Sequence, residues 1–113
     1  MKTLQEIINI TRKEIGAFEK VEQKKWGIEA NIVELAKQVG DLAKHIMMQE
    51  KYYLKERREK VEYKTNKQDI EDELADIFFC LIRIADYYKI DLEKALTDAR
   101  RKGLKDRGIK PNF

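Results

Sequence analysis

A single cysteine, Cys80, excludes an internal disulfide and fits a reducing compartment. With one proline in 113 residues, the chain has room for one domain rather than two. Long apolar runs are missing: nothing approaches the roughly 20 residues of a membrane span, and the N-terminus has no signal-type apolar core. A surplus of one charge is missing as well. Lys and Arg number 24 against 21 Asp and Glu, a formal +3 that does not by itself argue a nucleic-acid partner. Neither strand-type alternation nor an internal repeat is present. These absences lead to the expectation of a soluble, cytoplasmic, all-α protein.

What is present is an unusual balance. The 42% apolar fraction is too high for a disordered chain, and the 40% charged fraction demands long water-facing helical surfaces. A domain of this size buries only about 60–70% of its unfolded surface, so the core is thin. Self-association is the expected way to complete it.

Four helical segments are predicted. The first runs from the N-cap Thr3 to Glu19, with Leu4, Ile7, Ile8, Ile15 and Phe18 on one face. The second runs from Ile28 to Glu50, with Leu35, Val39, Leu42 and Ile46 as its buried stripe. Residues 51–67, rich in charge, read equally as helix or loop, with Thr65-Asn66 as the break. The third helix spans Gln68 to Tyr88, its stripe being Ile70, Leu74, Ile77, Leu81, Ile84 and Tyr88. Asp91 caps a fourth helix from Leu92 to Lys102, which Gly103 is expected to end, leaving 103–113 as an irregular basic tail.

At about 100° per residue, Glu34, Gln38, Asp41 and His45 share one sector of the second helix. Asp69, Asp72, Glu73 and Asp76 share a sector of the third. If the helices pack antiparallel through their stripes, both acidic rows border one groove. Carboxylates gathered in this way repel unless a cation or water intervenes. Mg²⁺ suits such a place because it takes hard oxygen ligands and bridges one or two carboxylates to substrate phosphates. A solvated acidic face is the plain alternative, and Asp69, Asp72 and Glu73 also lie where a helix dipole favours negative charge. Asp76 lies deeper in the helix, beside Leu74 and Ile77.

The order Trp26-Gly27, Leu35-Ala36-Lys37-Gln38-Val39-Gly40-Asp41, Glu73-Leu74-Ala75-Asp76 and Ile90-Asp91-Leu92-Glu93-Lys94-Ala95-Leu96 resembles the MazG-like all-α nucleoside triphosphate pyrophosphohydrolases. The resemblance covers about Trp26 to Leu96 and implies a helical bundle of four to five helices, assembled as a homodimer or a dimer of dimers. It implies Mg²⁺, with Mn²⁺ as a substitute, on a carboxylate cluster. The implied reaction turns a nucleoside triphosphate into a monophosphate and pyrophosphate.

Mapped residue by residue, Glu73 and Asp76 stand at the second pair of metal ligands and serve as the catalytic acids. Asp41 stands at the last glutamate of the first segment. Gln38 falls where that family has a ligand glutamate, and Lys37 where it has the neighbouring glutamate. Both departures weaken a cation site, and Glu34, one turn before Gln38, or Asp72 and Asp69, which flank Glu73, are the candidates for the missing charge. Trp26 is placed either to stack a base or to pin the second helix. Lys102 and Arg107 are candidate phosphate contacts, although the tail lacks the family's asparagine. His45 sits at the groove edge and reads as an inert exposed side chain. The other readings are a non-catalytic helical binding or oligomerisation module with a weakened metal site, and nucleic-acid binding through 51–67 and the tail. The last is disfavoured by acids interspersed among the bases.

Overall fold

The computed structural model describes residues 1–113, all as helices and their connections. Five α-helices occur: α1 (Leu4–Glu19), α2 (Ile28–Gln49), α3 (Lys55–Arg58), α4 (Lys67–Tyr87) and α5 (Leu92–Asp106), with a 3₁₀ turn at Val61–Tyr63 between α3 and α4. No strand is present. No helix is long and apolar enough to cross a membrane.

Local chemistry explains the helix starts. The Thr3 hydroxyl accepts the Glu6 amide at 3.1 Å, and the Asp91 carboxylate accepts that of Lys94 at 3.0 Å. At α4, Asn66 and Asp69 cap each other reciprocally: Asp69 N donates to Asn66 Oδ1 at 2.9 Å, and Asn66 N donates to Asp69 Oδ2 at 3.2 Å.

Three helix ends share one hydrogen-bond pattern. In α2, Tyr52 N donates to Met47 O and Lys51 N to Met48 O; in α4, Ile90 N donates to Ala85 O and Lys89 N to Asp86 O. In α5, Ile109 N donates to Leu104 O and Gly108 N to Lys105 O. This is the Schellman arrangement, which requires a left-handed residue at the turn. Lys51 (φ 61°), Lys89 (φ 56°) and Gly108 (φ 74°) supply it. Gly103 therefore does not stop the last helix. It lies within α5, and the helix continues until Gly108 closes it, so residues 103–106 are helical rather than irregular.

The contacts group into two units, Met1–Gln23 with Ile82–Phe113, and Lys24–Leu81, with α4 passing from the second into the first. In the first unit, Ile8, Ile15, Ile82 and Ala85 are buried. The Arg12 guanidinium is bonded to Asp86, and Arg83 forms a double bond set with Glu22, Nη1–Oε2 at 3.1 Å and Nη2–Oε1 at 3.3 Å. In the second unit, Asn31, Met48 and Cys80 are buried.

The expected stripes are only partly interior. Val39, Ile46 and Leu74 are exposed by 48%, 43% and 50%, while Leu35, Leu42, Ile70 and Ile77 are half-buried. On α1, Ile7 and Phe18 are exposed although Ile8 and Ile15 are not. Helical periodicity locates an apolar face, but one chain of this size has too few elements to cover every such face.

Candidate functional site

The acidic rows of α2 and α4 meet within the Lys24–Leu81 unit, and Glu73 is at their junction. Its side chain is 16% exposed, and its Oε2 is buried with no hydrogen-bond partner. Burial pushes the Glu73 carboxyl above the ordinary glutamate range, and the charges of Asp41 and Asp76 push it the same way, while His45 and Lys37 oppose them. Asp41 and Asp76 thus act on Glu73 from two different helices. An ionised carboxylate oxygen removed from water without a donor is costly, and the usual relief is a proton or a bound cation.

His45 is the site residue whose surroundings depart most from expectation. It is half-buried rather than exposed, with Nε2 3.7 Å from Glu73 Oε1 and Nδ1 2.8 Å from Thr65 Oγ1. Thr65 donates to Asp69 Oδ2 at 3.4 Å. Its oxygen can then accept from Nδ1–H of His45, which leaves Nε2 facing a carboxylate oxygen. That arrangement accommodates a shared proton or a metal ion between the two groups. Nothing in the local sequence pairs residues 45 and 65, so only the folded chain brings the histidine to Glu73.

The first segment is internally engaged. Lys37 Nζ lies 3.2 Å from Asp41 Oδ2, and Asp41 followed by Glu34 holds the Lys37 ammonium above its ordinary range. Gln38 donates through Nε2 to Glu34 Oε1 at 2.9 Å, so its amide carbonyl remains unused in that contact. The three sequence-predicted ligands of α2 are therefore already engaged: Asp41 with Lys37, and Gln38 with Glu34. Asp76 is exposed and Asp72 accepts from Gln68 at 2.9 Å.

The other predicted contacts have different settings. Trp26 is half-buried immediately before the α2 N-cap Gly27. Lys102 is held by Asp106 at 2.7 Å, and Arg107 is the exposed C-cap of α5. Both tail residues belong to the Met1–Gln23 and Ile82–Phe113 unit, whereas the carboxylates belong to the other.

No group of three or more His, Cys, Asp and Glu side chains is gathered tightly enough to form a ready-made metal centre. The oxygens present are nevertheless of the type a hard divalent ion takes: one carboxylate oxygen without a partner, two further carboxylates acting on it, and the amide carbonyl of Gln38. Comparison with family models, with characterised proteins and with solved structures returns no match.

Proposed function

We propose that the protein is a Mg²⁺-dependent nucleotide pyrophosphohydrolase that converts a nucleoside triphosphate to its monophosphate and pyrophosphate. The observation carrying this reading is the buried, unpartnered Oε2 of Glu73 beside Asp41 and Asp76. Glu73, Asp76 and Asp41 would hold the ion, with the Gln38 carbonyl and Glu34 as supplementary oxygens. When bound, Mg²⁺ or Mn²⁺ supplies charge neutralisation on the phosphate chain and lowers the pKa of a coordinated water. The residues' own part is to keep those oxygens on two rigid helices and to exclude water from the inner face of Glu73. Trp26 would pin the start of α2, where it stands half-buried before the N-cap Gly27.

Pyrophosphate release from a panel of nucleoside triphosphates, with Mg²⁺ or Mn²⁺, tests the reading. Release that disappears in Glu73→Gln and Asp41→Asn supports it; no release from any substrate retires it.

A second reading is a non-catalytic module with a weakened cation site. It is favoured by the Lys37–Asp41 ion pair, which places a protein cation on one of the required carboxylates. Calorimetry with Mn²⁺ separates the two, since a site neutralised by its own lysine takes up no ion.

The assembled protein in either reading is a homodimer. Ile32, Val39 and Ile46 recur every seven residues on α2 and all are exposed, with half-buried Leu35 and Leu42 between them. Branched residues at the first position of a heptad with leucine at the fourth are suited to pairwise helix packing. A second copy presenting the same row would cover this face.

A further inference from the structure

Residues 51–67 carry seven cations and three acids, yet none of the seven forms an ion pair. Six cations elsewhere are paired with acids, among them Lys37 with Asp41, Lys94 with Asp98 and Lys102 with Asp106. The connector instead works with aromatic faces. Lys44 Nζ sits 4.8 Å from the centroid of Tyr63, the Arg57 guanidinium lies 6.0 Å from that of Tyr53, and the two rings meet edge to face at 5.1 Å. A ring quadrupole orients a cation but carries no net charge, so the positive charge remains available to an anion. Arg58 adds an independent sign: its Nε is buried and has no hydrogen-bond partner. A buried guanidinium N–H without an acceptor is a costly arrangement that a ligand oxygen would relieve.

The connector is also anchored beside the carboxylates. Thr65 bonds His45, whose other nitrogen faces Glu73, and Tyr63 packs against Lys44, the residue preceding His45. We propose that Arg57 and Arg58, with Lys44 and Lys64, form a polyphosphate-binding subsite next to the carboxylates, its ligand being the phosphate chain of a nucleotide. The proposal rests on the pyrophosphohydrolase reading for the identity of that ligand. It divides the work between acids that hold a divalent ion and arginine forks that grip phosphate oxygens. It also moves phosphate recognition from the tail to the connector. A long nucleic-acid backbone suits the segment less well, because Glu56, Glu59 and Glu62 interrupt the positive charge.

The test is calorimetric binding of inorganic tripolyphosphate in the presence of a chelator, so that neither metal nor turnover contributes. Wild type is expected to bind with an affinity that falls as salt rises. Arg57→Gln and Arg58→Gln should each weaken binding about tenfold, as expected for loss of a charge-assisted hydrogen bond, and Lys13→Gln, at an exposed position of α1, should leave it unchanged. Far-UV circular dichroism checks that each variant is folded, and Lys44→Gln with Lys64→Gln serves as the second variant should Arg58→Gln unfold. Absence of tripolyphosphate binding to wild type, or undiminished binding by the folded variants, overturns the proposal. So does tighter binding of a single-stranded oligonucleotide through the same residues. Connector-dependent binding without pyrophosphate release would sink the hydrolase and leave the subsite standing; release with binding indifferent to the connector would do the reverse.

Discussion

Two arginine–carboxylate pairs in the same unit provide a controlled comparison of what burial does to an ion pair. Arg83 and Glu22 are joined by two bonds of 3.1 and 3.3 Å, with side chains only 9% and 15% exposed. Arg12 and Asp86 are joined at least as well, Nη2–Oδ1 at 2.9 Å and Nε to both carboxylate oxygens at 3.1 Å, but with 41% and 35% exposure. Geometry alone would rank the second pair higher. Physical chemistry reverses the order, because water and salt screen the exposed pair while the buried guanidinium depends on its carboxylate.

Glu22→Gln is therefore expected to destabilise the protein by about 3–5 kcal/mol, the usual loss when a buried charge is deprived of its counter-ion. Asp86→Asn should cost about 0–1 kcal/mol, typical of an exposed pair. At roughly 4 °C of melting temperature per kcal/mol for a domain near 100 residues, the first variant melts about 12–20 °C lower and the second at most about 4 °C lower. Urea titration followed by far-UV circular dichroism reads both. Replacing both partners, Glu22→Leu with Arg83→Leu, should recover most of the loss, since no lone charge then remains inside. Equal losses for Glu22→Gln and Asp86→Asn would refute the claim that burial sets the strength of these pairs.

Three further outcomes follow from the carboxylate site and the apolar row. Gln38→Glu should tighten Mn²⁺ binding, because it adds a carboxylate one turn from Asp41; an unchanged calorimetric titration would exclude Gln38 from the ion's surroundings. Glu73 has its folded pKa raised above the unfolded glutamate value of 4.5, chiefly by burial. Its contribution is fully present below that value and lost as pH rises through the folded value. Without divalent ions, Glu73→Gln should flatten the acid-side dependence of the urea midpoint and exceed wild type in stability at neutral pH, and a parallel pH curve for the two would contradict it. Val39→Asp should convert a homodimer to a monomer by light scattering while leaving helix content intact; a dimer that survives it does not use the α2 row.

Helix positions were readable because they depend on neighbouring residues. Thr3, Asn66 and Asp91 each cap a helix through a side chain three residues from its target amide. The end of α5 differs from the expected one for an equally local reason. Gly103 and Gly108 look alike in sequence, and only the one whose backbone turns left-handed, at φ 74°, closes the helix. The spacing of Lys37 and Asp41 already placed opposite charges one turn apart. The contact between His45 and Thr65 spans 20 residues and depends on how the connector folds, which periodicity does not encode. Apolar stripes had a different shortcoming: they mark a face that wants covering, not whether the same chain covers it. Ile32, Val39 and Ile46 are as regular as any core row, yet they remain exposed.

The choice between a working cation site and a decayed one turns on how this chain treats its other buried charge. Glu22 and Arg83 are buried together and satisfy each other through two bonds. Glu73 is nearly as buried, but its Oε2 has no donor and its neighbours Asp41 and Asp76 add like charge. His45 opposes this without satisfying the oxygen, since its Nε2 lies 3.7 Å from Oε1, too far for a hydrogen bond, and Oε2 still has no donor. Lys37 does not cancel it either, because its ammonium rests on Asp41 with 60% of its side chain in water. A module with no ligand to hold would be more stable with glutamine or leucine at position 73. A divalent ion drawn to that oxygen would remove the penalty and turn the same three acids from mutual repulsion to shared coordination, which favours the proposed working cation site over a decayed one.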